Sequence, residues 1–306
     1  MFLKSSFKNT PVFVQLIMLM AVIIFGMFLS IFLAAFLIAF KVGFTPEALI
    51  NAQQHVSDIF NYPDLMRGIQ FLQTLGIFLF PAIICAWLFS DNYKEYLGAD
   101  HPIHLPAAVW AVISMVVAIP FLNMTYNLNQ QMVFPEALKG LETWMKESED
   151  AAERLTNLML DTKNISAILF NFLTICLVAA ICEEFMFRGL LQKLFGRVFK
   201  NPHVLIWFIA IVFSAVHLQF YGFITRMLLG AWLGYLMYYT KTIWIPVLAH
   251  FTNNFFTVGA YYLFQNNHDI SQKLDTVGSG STLWLSAVSL ALFSFCFLQI
   301  KKAVTP

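Results

Sequence analysis

Residues 165–192 read ISAILFNFLTICLVAAICEEFMFRGLLQ. The stretch opens on 18 residues without a single charge and then sets down Glu183, Glu184 and Arg188 in the next two turns. An apolar run of about 18 residues or more is long enough to cross the hydrocarbon core of a bilayer as a helix. A charge at that depth costs at least about 2.5–3.5 kcal/mol on insertion scales, so side chains of this kind inside a span are functional candidates by default. The stretch therefore predicts a membrane helix that carries chemistry at one end.

The rest of the chain repeats the first half of that pattern. Of its 306 residues, 59% are hydrophobic and 11% charged, and the mean hydropathy is +0.71. A soluble domain is typically about a quarter charged. Eight spans are expected, at 12–40, 68–90, 106–127, 165–188, 203–219, 223–240, 243–265 and 282–300. The fold class that follows is all-α: a polytopic transmembrane helical bundle of about eight membrane helices with one extramembrane amphipathic helix. The first apolar run far exceeds a signal-peptide core of about 7–15 residues and reads as a span. No internal repeat breaks the chain, so 1–306 is taken as a single membrane domain.

Charge and thiols exclude several classes. The net charge is +1 and no basic block is present, which gives nucleic acid nothing to bind. Cys85, Cys176, Cys182 and Cys296 all lie in apolar stretches without CxxC spacing and read as small hydrophobes. With the N-terminus inside, the cytoplasmic flanks hold Lys4, Lys8, Lys94, Lys193, Arg197, Lys200, Lys241, Lys301 and Lys302, whereas Lys41, Arg67, Lys273 and the basic residues of the one long loop fall outside. This bias predicts that both termini are cytoplasmic; with no evident targeting segment, the expected membrane is a bacterial cytoplasmic one.

The one long loop, 128–164, has seven acidic residues against four basic ones. Within it Leu138, Leu141, Met145, Ser148, Ala152, Leu155 and Met159 recur at spacings of three and four, the period of one helical face. They predict an amphipathic helix outside the hydrocarbon, there for packing first and for gating second. Gly230 and Gly234 form a small-xxx-small pair that permits close helix packing. Asn123, Asn127 and Asn171 are expected to hydrogen-bond between helices.

Two further spans share the polar anomaly. IVFSAVHLQF brings His217, and IPVLAHFTNNFF brings His250, Asn253 and Asn254. Residues at i and i+4 share a helix face, so Glu184 is expected to pair with Arg188, and His250 to share its face with Asn254. Glu183 lies about 100° round the helix from Glu184 and can face a cavity. A lone membrane histidine is commonly satisfied by a carbonyl, and a Glu–Arg pair can simply tie helices together. All of these on three separate spans point instead to a shared pocket. A carboxylate there can take a proton from water and return it to a leaving group, while an amide can donate to a developing oxyanion. Two histidines with one glutamate are also a recognised catalytic zinc set, which makes Glu183, His217 and His250 a candidate metal set. The other histidines (His55, His101, His104, His203 and His268) fall in loops or at helix ends, where water satisfies them.

These motifs in this order, Glu183-Glu184-x-x-x-Arg188, Phe213-x-x-x-His217 and His250-x-x-x-Asn254, resemble those of the CPBP family. This is the group of CAAX prenyl endopeptidases and bacteriocin-processing or immunity proteins also called the ABI family. The extended run EEFMFRG strengthens the match, which covers 165–260 as a peptidase core. The resemblance implies an intramembrane endopeptidase, classed as a metalloprotease, acting on a hydrophobic or lipidated peptide or protein. Glu183 would correspond to the water-activating glutamate, His217 to its partner in holding the water, and His250 and Asn254 to the groups that polarise the scissile carbonyl. Glu184 and Arg188 would be the supporting ion pair. A non-catalytic immunity or scaffold protein that binds a peptide is the alternative, and a proton-coupled transporter is a third reading.

Overall fold

The computed structural model describes residues 4–45 and 62–305; His55 lies outside the described residues. Among the described residues eleven α-helices follow one another and no strand occurs. They are α1 (Val12–Val42), α2 (Pro63–Phe89), α3 (Tyr93–Leu97), α4 (Leu105–Gln130), α5 (Lys139–Leu160), α6 (Ile165–Phe195), α7 (Pro202–Ala215), α8 (Phe223–Thr240), α9 (Trp244–Phe264), α10 (His268–Thr276) and α11 (Leu283–Val304). The chain is an all-helical integral membrane protein, and each of the eight expected spans coincides with a helix.

Five of those helices, α1, α2, α4, α6 and the one ending at Val304, are long and apolar enough to cross a membrane. The other three depart for physical reasons. The 14 residues of α7 rise only about 21 Å at about 1.5 Å per residue. In α8, Thr225, Arg226 and Thr240 dilute the apolar run, and in α9 His250, Asn253 and Asn254 do so.

By its internal contacts the chain forms two compact units, 1–97 with 155–190, and 98–154 with 191–306. In the first, α1 packs on α2 where Gly26 and Gly76 meet. A Cβ on Gly26 would stand 2.0 Å from the Gly76 carbonyl oxygen, so only glycine permits this backbone approach. The outer face of α1 presents Phe25, Phe28, Phe32 and Phe36, a surface suited to lipid. Both α2 and α6 widen locally to π-helical turns, at Leu75–Leu79 and at Phe172–Val178 and Phe185–Leu191.

Arg67 departs from expectation. Placed by the sequence in a water-facing flank, it is buried, donating to the Met159 carbonyl and to Asn171 Oδ1 (3.0 Å) and pairing with Asp64. The cause is the helix start: α2 begins at Pro63, with the proline in its first turn, and so takes Arg67 into the packed helix. Asn171 in turn donates to Met159 O at 2.7 Å, as an interhelical partner should.

The second unit is organised on α4, which runs along α11. Ser286 donates to the Pro120 carbonyl at 2.9 Å and Ser289 to Val117 O, while Trp232 Nε1 donates to Ser114 Oγ at 3.2 Å. Asn123 and Asn127 donate to the Leu274 and Asp275 carbonyls. The core between α4, α8, α9 and α11 gathers Ala107, Ala111, Leu233, Leu236, Ala249 and Ile300, all essentially sealed from solvent. Gly230 and Gly234 face α7, where a Cβ would come within 3.1 Å of Phe213 and 2.9 Å of Ile206. The small-residue pair thus serves packing within the chain. Helix α5 is amphipathic with Met145 and Met159 buried, but Leu138 just before it and Leu141 in its first turn are exposed. All four cysteines are buried free thiols.

Candidate active site

The first unit holds the acidic motif. Asn164 caps α6, its side chain accepting the Ser166 amide at 2.9 Å. Twenty residues on, the helix presents Glu183 and Glu184 and then widens. Arg188 Nη1 donates to Glu184 Oε1 at 2.7 Å, and both side chains are completely inaccessible. Residues four apart share a helix face, and the helix widens to a π turn from Phe185, between the two partners. The Arg188 guanidinium also lies 5.9 Å from the Phe187 ring centre, and Phe187 meets Phe78 of α2. Glu183, rotated off that face, keeps some accessible surface while Glu184 keeps none. The two adjacent carboxylates thus differ in exposure: Glu184 is sealed against Arg188, and Glu183 is only partly buried.

The second unit holds the imidazoles. His217 was expected inside a helix at 203–219, but α7 ends at Ala215 and His217 stands on the following turn. The helix stops because Leu218 takes the left-handed conformation, φ +54°, which reverses the chain without glycine or proline. His217 Nδ1 lies 2.7 Å from the Phe213 carbonyl oxygen. A carbonyl can only accept, so Nδ1 carries the hydrogen, and in the neutral ring Nε2 carries the lone pair.

Phe213 joins the two histidines. Its ring centre lies 4.9 Å from that of His217 and 6.1 Å from that of His250, edge to face in both cases. The unit therefore brings both imidazoles against one buried phenyl ring. His250 and Asn254 follow on one face of α9. Asn254 Oδ1 accepts from Asn253 Nδ2 at 3.1 Å. In neither unit, among the described residues, do three or more His, Cys, Asp or Glu side chains gather as a metal cluster. Glu183 of the candidate zinc set belongs to the first unit, His217 and His250 to the second.

The sequence reading passed over the residues that fix the turn after His217. Asn129, at the end of α4, is buried and bonds twice to it. Glu149 of α5 accepts from it and Arg226 of α8 donates to it. Nothing in their spacing links them to His217; the only signal was polar residues near the ends of apolar segments.

Residues 165–256 match the family model of Rce1-like type II CAAX prenyl endopeptidases. The matched segment contains Glu183, Glu184, Arg188, His217, His250 and Asn254. No curated protein and no solved structure matches the chain.

Proposed function

We infer, from a segment that carries the signature of the CAAX endopeptidase family, that this integral membrane protein hydrolyses a peptide bond in a hydrophobic or lipidated substrate. The observation that carries the reading is the Phe213 cluster, in which His217 is held in one tautomer and His250 stands against the same ring. A histidine whose Nδ1 is committed to a carbonyl directs Nε2 as a hydrogen-bond acceptor, which is what holding a water requires.

The proposed steps use side chains alone. Glu183 takes a proton from water as the water oxygen bonds to the scissile carbonyl carbon, with His217 Nε2 accepting the second hydrogen and orienting the molecule. His250 and Asn254 donate to the carbonyl oxygen as it gains charge. The C–N bond then breaks, and the proton held by Glu183 passes to the leaving amine. Glu184 neutralises Arg188, so that the buried guanidinium keeps a partner. Zinc held by Glu183, His217 and His250 is the metal-dependent form of the same proposal, and strong chelator separates the two. Retained turnover keeps the side-chain scheme, while loss restored by zinc makes those residues ligands.

The test is cleavage by protein reconstituted in liposomes, offered peptides with and without a C-terminal isoprenoid. Glu183→Ala should abolish product. Equal turnover by that variant would remove Glu183 from the mechanism, and a wild-type protein that binds such peptides without cleaving them would leave a binding or immunity protein. Under this proposal both termini lie in the cytoplasm, a reading the Lys and Arg bias supports, and the membrane is a bacterial cytoplasmic membrane.

A further inference from the structure

The backbone from His217 to Ile224 is a reversal that its own sequence does not stabilise. Leu218 stands in the left-handed region, φ +54°, at a cost of about 1–2 kcal/mol for a residue with a Cβ. Such strain persists only where the surroundings over-determine it. Here they do. Five backbone groups of this short segment receive side-chain partners from neighbouring elements. Asn129 Nδ2 donates to Phe220 O at 3.1 Å, and Asn129 Oδ1 accepts the Ile224 amide at 2.8 Å. Glu149 accepts the Tyr221 amide at 3.1 Å. Arg226 Nη1 donates to Gln219 O at 2.7 Å, and Ser214 Oγ to Phe223 O at 2.7 Å.

Two of these partners come from outside the α7–α8 hairpin. Asn129 ends α4 and Glu149 lies midway along α5, the amphipathic helix. The same helix sets Trp144 against Phe220, ring centres 5.3 Å apart. Met145 lines, with Asn129, Phe220, Tyr221 and Ile224, an apolar cavity of about 240 Å³ beneath the contact. A helix whose only task was to cover apolar surface would have no need to place a half-buried carboxylate on a backbone amide.

We propose that Asn129 and Glu149 are positioning residues for His217, so that the seating of α5 on the 219–224 turn sets the reach of the imidazole. The proposal rests on the hydrolase reading for its catalytic consequence, while the clamp itself is independent of it. A carboxylate or a primary amide at position 149 can each accept the Tyr221 amide, and alanine cannot. At position 129 aspartate keeps the acceptor for Ile224 but loses the donor to Phe220 O.

The experiment measures kcat and KM, together with amide hydrogen exchange, on reconstituted full-length protein with E149A, E149Q and N129D. Displacing His217 without touching substrate should lower kcat about tenfold, a change of about 1.4 kcal/mol in barrier, with KM unchanged. E149Q should restore turnover. Measured at a pH below the window in which Glu149 ionises, exchange across 218–224 should rise in E149A and N129D, stay at the wild-type level in E149Q, and remain unaltered in α6 in every variant. Raised KM at constant kcat would overturn the proposal, since α5 would then meet substrate and leave His217 alone; so would unaltered exchange across 218–224. Should E149A fail to fold, N129D and E149Q still decide the matter. Absence of cleavage by the wild type would strike the hydrolase reading, while the exchange data would still report whether the clamp exists.

Discussion

Arg188 and Glu184 meet at 2.7 Å, one turn apart on α6, with neither side chain accessible. Removing one member of a buried ion pair strands the other charge, at a cost of about 3–5 kcal/mol. Arg188→Met and Glu184→Gln should each lower thermal stability in detergent steeply. The double change Glu184→Leu with Arg188→Met should recover most of the loss, because apolar replacements of similar volume leave no stranded charge. Thermal unfolding of the three variants checks this.

Glu183, next in sequence, should behave in the opposite way. It lies about 100° round the helix from Glu184 and is partly accessible, so Glu183→Gln should leave the melting temperature within a degree or two of wild type, given that about 1 kcal/mol moves a large domain by about 2–4 °C. Turnover should fall by about 10²–10⁴, the usual worth of a general base. A melting curve and a cleavage assay on one preparation separate the two neighbouring carboxylates.

The Glu184–Arg188 pair and the shared face of His250 and Asn254 were legible because helical spacing alone dictates them. So were the eight helices, since an apolar run in a membrane protein has little choice of structure. His217 was misplaced onto a helix because no glycine or proline marks the break at Leu218; the reversal is imposed by Asn129, Glu149 and Arg226, which come from elsewhere in the chain. Arg67 was read as solvated because its burial depends on α2 starting at Pro63, a turn earlier than the apolar run shows. Residue type and spacing specify what a helix carries, whereas contacts between distant segments decide where a helix stops.

Glu149 gives the docking of α5 a pH dependence of definite sign. Burial is the largest influence on its carboxyl and raises the pKa above the usual value, opposed by the Tyr221 amide and by Arg226 and reinforced by Glu153 and Asp150. The folded state thus holds this proton more tightly than the unfolded chain. Stabilisation is fully present below the ordinary carboxylate range and is lost as pH climbs through the raised value. Amide exchange across the 219–224 turn should therefore quicken as pH rises through that window, beyond the intrinsic acceleration shown by a reference peptide. Glu149→Gln should remove the excess, since it cannot ionise.

Leu218 offers the most direct separation of stability from position. Leu218→Gly relieves about 1–2 kcal/mol of left-handed strain but adds about 0.5–1 kcal/mol of unfolded-state entropy, so the melting temperature should scarcely move. Leu218→Ile keeps the Cβ and adds a branch beside it, which the left-handed region tolerates poorly, and should destabilise the protein. Yet glycine frees the turn that aims His217, so Leu218→Gly should lower kcat in a protein as stable as the wild type. A strained residue that can be relaxed at no cost to the fold but at a cost to turnover is one whose conformation serves the reaction. If Leu218→Gly instead cleaves at the wild-type rate, the left-handed turn merely joins α7 to α8.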